Sequence, residues 1–457
     1  MPDGLPQPQR RWAVLVILVG IAMAVLDSTL VNLALPTLAS DFGAPPESAI
    51  WVVNAFQLAV LCVLLPLASL GDRLGYRRVY LAGTALFTLA SLACALAPSL
   101  FWLAAMRFVQ GLGAAGMMSV NLALVRATYP RALLGRGIAL NSMVVASASV
   151  LGPSLAAAVL SVADWPWLFA VNVPVGLWLL WMGAHALPDH AGAVASRVGP
   201  LDVVLNVLTF GLVFLGVDAL ATGQGAHGGW LRGDLAAALL VAGLLVGAVY
   251  VRRQLVQATP LLPLDLLRIR VFALSMCTSV SAFSAQMLAY VSLPFLFLDL
   301  LRRSHWETGL LMMAWPVATI AVAPFAGRLI GRVPAGLLGG IGLGTMSLGL
   351  ALLAVLPDTA GVPRIVAGLL LCGAGFGLFQ SPNNHTIVTS APAHRSGGAG
   401  GMQSAARLTG HLIGAMAAAT VFSLWPPAQG HGPFVALGLA AGLACLAGAF
   451  SLTRLAR

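Results

Sequence analysis

Residues 24–36 read A-V-L-D-S-T-L-V-N-L-A-L-P, with a carboxylate, Asp27, in an otherwise apolar setting. The stretch lies inside an apolar run from Trp12 to Leu38. Such a run can cross a bilayer as a helix, which takes about 20 residues. A charge at the centre of that helix costs roughly 2.5–3.5 kcal/mol on insertion scales. The fold must compensate Asp27, or the function must use it.

The rest of the chain repeats the apolar pattern. Of its 457 residues, 59% are hydrophobic and 8% charged, against about 25% charged in soluble domains. Fourteen apolar runs are expected to be transmembrane helices: 12–38, 49–70, 78–98, 100–126, 136–162, 167–187, 201–221, 233–251, 271–299, 307–330, 335–356, 364–389, 398–424 and 434–454. Backbone groups must be satisfied internally in lipid, so runs of this length form helices and not barrel strands. The fold class is therefore all-α and integral to the membrane. The first run is too long for a signal peptide and lacks a cleavage-like end, so it is expected to remain as the first helix. Cys62, Cys94, Cys277, Cys372 and Cys445 all lie in apolar runs without metal spacing and read as small packing residues.

The formal net charge of +10 would suggest nucleic acid in a soluble protein. Here the basic residues, all 24 of them arginine, sit mainly in short loops. Eighteen fall on one side of the helix count: Arg10, Arg11, Arg73, Arg77, Arg78, Arg126, Arg131, Arg136, Arg197, Arg252, Arg253, Arg268, Arg270, Arg328, Arg332, Arg395, Arg454 and Arg457. Four fall on the other, Arg232, Arg302, Arg303 and Arg364, while Arg107 and Arg407 stand inside helices. The asymmetry places both termini in the cytoplasm and supports an even number of helices. An arginine-only, Ala/Leu-rich sequence with 50 glycines is consistent with a GC-rich bacterial genome.

The longest polar connections lie near 188–200, 222–232 and 252–270. They divide the chain into an N-terminal six-helix bundle (1–190), an inserted helix pair (191–262) and a C-terminal six-helix bundle (263–457). A faint repeat supports this 6 + 2 + 6 layout. P-L-A-S-L-G-D-R-L-G at 66–75 ends helix two, and P-F-A-G-R-L-I-G-R at 324–332 ends helix ten. Transporters are often built from such repeats, with the substrate site near the midplane at the repeat interface. No loop carries a nucleotide-binding glycine loop, which argues against ATP as the energy source. No nucleophile–base or metal-ligand set is visible, so neither an enzyme, a metal site nor a cofactor is expected.

Polar groups inside helices carry the functional signal. Asp27 shares a helix face with Gly20, Met23, Ala24, Leu30, Val31 and Ala34, so another helix could approach closely. It reads either as a carboxylate satisfied permanently by Arg107 or a hydroxyl, or as a titrating proton carrier. Arg107 shares a face with Gln110, Gly111, Ala114, Met118 and Asn121. It needs an acceptor, either Asp27 or backbone carbonyls. Asp202, Asp218 and Asp299 lie near helix ends, which leaves Asp27 as the one acid well inside a helix.

On helix thirteen Gln403, Arg407, His411 and Gly414 line one face; on helix twelve Phe376, Gln380, Asn383 and Asn384 do the same. Such stripes avoid lipid and are expected to line a cavity or the bundle interior, as are Asn32 and Gln57. His411 reads as a titrating group or, more commonly, a hydrogen-bonded packing residue. Trp51, Phe56, Phe283, Met287, Tyr290, Met312 and Trp315 suit flat, lipophilic ligands, and equally suit helix packing. The loop G-D-R-L-G-Y-R-R, 71–78, places Gly71, Asp72, Arg73, Gly75, Arg77 and Arg78 at a helix end. It reads as a positive-inside anchor, or as a latch in which Asp72 pairs with an arginine or helix N-terminus in one state only.

That loop resembles the cytoplasmic signature of the major facilitator superfamily. L-D-S-T-L-V-N-L-A-L-P, 26–36, is similar to the first-helix signature of its fourteen-helix drug:proton antiporter branch. R-F-V-Q-G-L-G-A-A-G at 107–116 resembles the fourth-helix motif, and L-G-P-S-L at 151–155, with Gly152 and Pro153, the antiporter motif of the fifth. W-P-W-L-F-A-V-N-V-P-V-G at 165–176 resembles the start of the sixth. F-Q-S-P-N-N-H at 379–385 and S-A-A-R-L-T-G at 404–410 resemble exporters of quaternary ammonium and viologen-type cations. The chain departs from the family pattern at Tyr76, Pro166 and His385, where arginine is usual, and at Ala156 and Ala157, where glycine is usual.

The resemblance implies a monomeric, multi-pass protein of the bacterial inner membrane. It implies export of small lipophilic compounds, cationic or neutral, in exchange for protons by alternating access. Asp27 would exchange the proton under the control of Arg107. The alternatives are a narrow-range metabolite or antibiotic exporter, a proton-coupled importer, and a non-transporting membrane protein on the same scaffold. No nucleic-acid partner is expected.

Overall fold

The computed structural model of the chain describes residues 4–130, 133–189, 199–222, 233–257, 264–357, 361–391, 396–427 and 430–455. Among them, thirteen helices are long and apolar enough to cross a membrane. The long helices of the first half are α1 (Gln7–Asp41), α3 (Trp51–Leu74), α4 (Tyr76–Ala95), α5 (Leu100–Thr128) and α8 (Asn172–Ala186). The short helices α2 (Pro46–Ala49) and α7 (Pro166–Ala170) lead into α3 and α8. After α9 (Pro200–Thr222) and α10 (Gly233–Val256) come α11 (Arg270–Phe295), α12 (His305–Leu329), α13 (Ala335–Ala354), α14 (Val362–Ser390), α15 (Ser396–Leu424) and α16 (Gly432–Leu452). The remaining expected span falls in α6 (Leu134–Val162), whose described apolar stretch is Leu151–Val162. The described residues hold no β-strand beyond one isolated bridge, Ile330 to Val333.

The boundaries expected at 190/191 and 262/263 lie outside the described residues, as do Arg131, Arg197, Arg232, Arg395 and Arg457 and the side chains of Arg136 and Asp218. The chain forms two compact units. One comprises Met1–Val31 and Trp51–Gly211, the other Asn32–Ile50 and Leu212–Arg457.

In the first unit α5 packs on α3 and α4, and α4 packs on α8. Apolar side chains gain little from leaving lipid, so close backbone approach holds such helices together. Glycine supplies it. A Cβ on Gly83 of α4 would lie 2.7 Å from the Gly113 carbonyl oxygen of α5. One on Gly111 would lie 2.5 Å from the Phe56 carbonyl oxygen of α3. Ser99 starts α5, its hydroxyl accepting from the Trp102 amide at 3.2 Å, as an N-cap should. Gly75 turns α3 into α4 at φ 97°, a conformation open to glycine.

Helix α9 attaches to α3 at a proline. Pro66 has no N–H, so it cannot bond the carbonyl four residues back, Cys62. The Asn206 amide of α9 donates to that Cys62 oxygen at 2.6 Å.

The second unit repeats the pairings of the first. There α14 packs on α12 and α13, and α13 packs on α16. A Cβ on Gly342 of α13 would lie 2.5 Å from the Gly375 carbonyl oxygen of α14. Ser304 and Glu307 start α12 with a reciprocal capping box, both bonds 3.2 Å. Val241, Leu244, Leu245 and Val249 of α10 are exposed, as side chains bathed in lipid would be. Cys277 and Cys445 are exposed too. The packing role expected of all five cysteines is therefore met only by Cys62, Cys94 and Cys372, which are buried.

Candidate coupling site and aromatic face

Asp27 sits at the centre of a sealed polar network in the first unit. Its side chain is 1% exposed and forms an ion pair with Arg107, also 1% exposed. The Gln110 amide, one turn along α5 from Arg107, donates to the same carboxylate at 3.0 Å. The Asn172 amide donates to it at 2.8 Å. The guanidinium is held as well: Arg107 Nη1 donates to Gln110 Oε1 at 2.6 Å and Nε to the Val52 carbonyl of α3 at 3.1 Å. Its carbon lies 4.3 Å from the Phe56 ring centroid and 5.6 Å from that of Phe169, within cation–π range. Gln110 spends its second N–H on the Ser91 hydroxyl of α4 at 2.8 Å.

Local sequence explains the convergence. Arg107 and Gln110 are three apart and share a face of α5. Asn172 is the first residue of α8 because Pro174 cannot donate to the Ala170 carbonyl, so the helix breaks between α7 and α8. The positive end of α8 thereby begins beside the carboxylate. Two amide donors and one guanidinium satisfy a carboxylate whose burial would be costly without partners. These contacts join α1, α5 and α8 through one carboxylate.

The sequence anticipated Asp27 and Arg107 as partners. It placed Gln110 among cavity residues, whereas the structure buries it fully in the network. It missed Asn172 and Ser91. Asn172 stood inside the quoted sixth-helix motif, so a signal existed; Ser91 had none.

Other expected residues are distributed as follows. Asn32, Phe56, Gln57 and Asn121 are buried, while Met118 is partly exposed. Gly152 of α6 abuts the Thr29 side chain of α1, and Pro153 is buried beside it. Ala156 and Ala157, where glycines were usual, are wholly buried. In the 71–78 loop Gly71 faces Val120, Asp72 is half-buried, and Arg73 and Arg78 are exposed. Tyr76, which replaces an arginine of the family pattern, donates its hydroxyl to Asp72 at 2.7 Å. Arg77 bonds the Ala184 carbonyl and lies 3.4 Å from Asp189.

In the second unit Asn383 is 1% exposed and bonded to Ser279 at 2.8 Å. It also accepts from Arg454 at 2.9 Å, and Arg454 donates to Ser275 at 3.0 Å. Partial burial lowers the Arg454 pKa to about 10, which leaves it charged at neutral pH.

The remaining candidates form aromatic contacts on α11, α12, α14 and α15. The Phe283 ring meets Phe376 edge-on at 5.4 Å and His411 edge-on at 5.5 Å. Tyr290 meets Trp315 at 5.1 Å. Two buried donor-capable atoms here, His411 Nδ1 and Trp315 Nε1, have no hydrogen-bond partner among the described residues. Gln380, Asn384, Gln403 and Arg407 are partly exposed, and Met287 is buried. Gly410 and Gly414 seat α15 against α11 at Val280 and Ser284.

These helices, their paired glycines and the buried acid–arginine pair describe a membrane transporter. The family model of the Major Facilitator Superfamily matches residues 17–415. The chain belongs to that superfamily. It is 50% identical over 454 residues to the uncharacterized transporter YebQ of Escherichia coli K12, covering 99% of this chain and 97% of that one. It is 31% identical to the multidrug resistance protein Stp of Mycobacterium tuberculosis CDC 1551, covering 89% of this chain and 74% of that one. Among solved structures, a POT family transporter in complex with a thioalcohol-conjugated peptide matches at TM-score 0.73 and 14% identity, covering 97% of this chain and 94% of that one. That last likeness concerns the fold alone.

Proposed function

We propose that this transporter exports lipophilic, drug-like compounds in exchange for protons, with Asp27 as the exchanging carboxylate and Arg107 as its counter-ion. The observation that carries the reading is the sealed network of Asp27, Arg107, Gln110 and Asn172. A carboxylate costs too much at this depth to persist without use or compensation. In the ionised form three side chains from two other helices grip it. Proton uptake would release Arg107 and free α1 from α5 and α8, and alternating access would follow the proton. The relative named for multidrug resistance supports drug-like cargo.

The arginine asymmetry of the loops supports both termini in the cytoplasm and residence in a bacterial inner membrane. The 71–78 loop would latch the cytoplasmic side through Asp72 and Tyr76. The chain would work as a monomer laid out as 1–190, 191–262 and 263–457.

The test is proton movement in energised everted vesicles with a pH-sensitive interior dye. Addition of a transported lipophilic compound should release protons, and Asp27→Asn should abolish the release while the protein remains folded. Release that survives in Asp27→Asn would move the proton site elsewhere, with His411 the next residue to test. No release with any lipophilic compound would favour a narrow metabolite transporter.

A further inference from the structure

The two units treat charge in opposite ways. In the first, the buried arginine has its acid. In the second, Arg407 stands on α15 one turn before His411, partly accessible, with no ion pair or hydrogen bond among the described residues. The segments of α11, α13, α14, α15 and α16 contain no aspartate or glutamate. Glu47 of α2, which packs on α15, forms no ion pair with Arg407. In α12 the single acid, Glu307, is taken up by the capping box at the first turn.

The polar atoms of this face are short of acceptors. Arg407 has five N–H donors and no acceptor. His411 Nδ1 is also unpartnered, and its ring is fixed edge-on to Phe283 at 5.5 Å. Unpaired donors in a low-dielectric setting are costly, and an acceptor brought by a ligand relieves that cost. Aromatic rings adjoin His411: Phe283, largely buried, meets Phe376 edge-on at 5.4 Å.

We infer that the α11–α14–α15 face selects neutral or anionic aromatic compounds rich in hydrogen-bond acceptors, and rejects permanent cations. The ring system packs against Phe283 and Phe376, and a carboxylate, sulfonate, phenolate or carbonyl oxygen meets Arg407. A quaternary or polycyclic cation would find aromatic surface here but no counter-charge. It would also face the guanidinium, and like-charge juxtaposition is an effective rejecting element. This inference rests on the export reading and narrows its cargo. It also departs from the cationic cargo suggested by the resemblance of F-Q-S-P-N-N-H and S-A-A-R-L-T-G to quaternary ammonium exporters.

The experiment is calorimetric binding to the purified full-length protein in detergent, with micelle blanks. Three probes are used: 8-anilinonaphthalene-1-sulfonate (anion), N-phenyl-1-naphthylamine (neutral, with the same rings) and ethidium (cation). Native protein should bind the anion and the neutral probe at least tenfold more tightly than ethidium. Arg407→Glu should reverse the order of anion and cation, and Arg407→Gln should weaken the anion alone. Retained binding of the neutral probe and a single size-exclusion peak show that each variant folds.

Ethidium binding as tight as the anion, or an order unchanged in Arg407→Glu, would overturn the inference. So would failure of both the anion and the neutral probe to bind native protein. Binding as expected without proton release in vesicles would sink the antiport reading and leave this selectivity standing.

Discussion

The cores of the two units are built on the same small residues and filled with opposite chemistry. In α5 the pair Gly111 and Gly113 faces Phe56 of α3 and Phe87 of α4; in α14 the pair Gly373 and Gly375 faces Trp315 of α12 and Met346 of α13. The positions just before the first glycine differ. Arg107 and Gln110 stand four and one residues ahead of Gly111, and Leu369 and Cys372 hold the matching places ahead of Gly373. Across the interface Ser91 follows Phe87 by one turn, where Leu350 follows Met346. Leu369, Cys372 and Leu350 are fully buried. At these matched positions one scaffold thus carries a charge network in one unit and apolar packing in the other. In lipid, packing of small residues drives helix association, so the network is separable from the fold.

The strongest test attacks the shared part. A Cβ on Gly113 would lie 2.5 Å from the Phe87 amide nitrogen, and one on Gly375 would lie 2.5 Å from the Met346 amide nitrogen. Backbone cannot retreat as a flexible side chain can. Gly113→Leu and Gly375→Leu should each cost more than about 4 kcal/mol, in the range reserved for severe disruption. Neither should yield a monodisperse peak in size-exclusion chromatography. Normal folding of one variant beside collapse of the other would show that the two interfaces are not equivalent.

The next test makes the first unit resemble the second. Arg107→Leu leaves the Asp27 carboxylate buried without its cation and should destabilise by roughly 3–5 kcal/mol. Adding Asp27→Leu removes the stranded charge, and such double apolar replacement is often neutral or stabilising. Thermal unfolding in detergent should therefore show a large loss for Arg107→Leu and recovery for the double variant. Transport should be absent from both. A double variant as unstable as the single would mean that the network is structural.

The same contrast explains what could be read from the sequence. Helix positions were legible because apolar runs of about 20 residues have few other uses. Asp27 and Arg107 were legible because a deep acid and a deep arginine each demand a partner. Asn172 and Ser91 were not. An asparagine at a helix start and a serine in a helix are ordinary residues, and only the approach of α8 and α4 gives them a role. Asn383 read as part of a lining stripe, yet its amide bridges Ser279 and Arg454. Arg454 itself had been counted only as a loop charge. Periodicity identifies a helix's polar face, but it does not say which neighbour that face meets.

The smallest expected effect concerns a contact with no counterpart described in the second unit. Asn206 of α9 donates to the Cys62 oxygen, which Pro66 leaves without its helical donor. Asn206→Leu should cost about 0.5–1.5 kcal/mol, the net worth of one hydrogen bond, and nearer about 0.6 if the average for membrane helices applies. The value alone would not separate a keyed contact from general packing, but a cycle with Pro66→Ala would. Alanine at 66 restores an N–H that reaches the Cys62 oxygen within α3, so Asn206 is no longer needed there. In the Pro66→Ala background, Asn206→Leu should cost less than in the native chain, and the difference is the coupling. Additive losses would mean that α9 is held by its apolar surface. A coupled result would show that α9 is keyed to the proline of α3, the helix whose last turn holds Asp72 and Arg73.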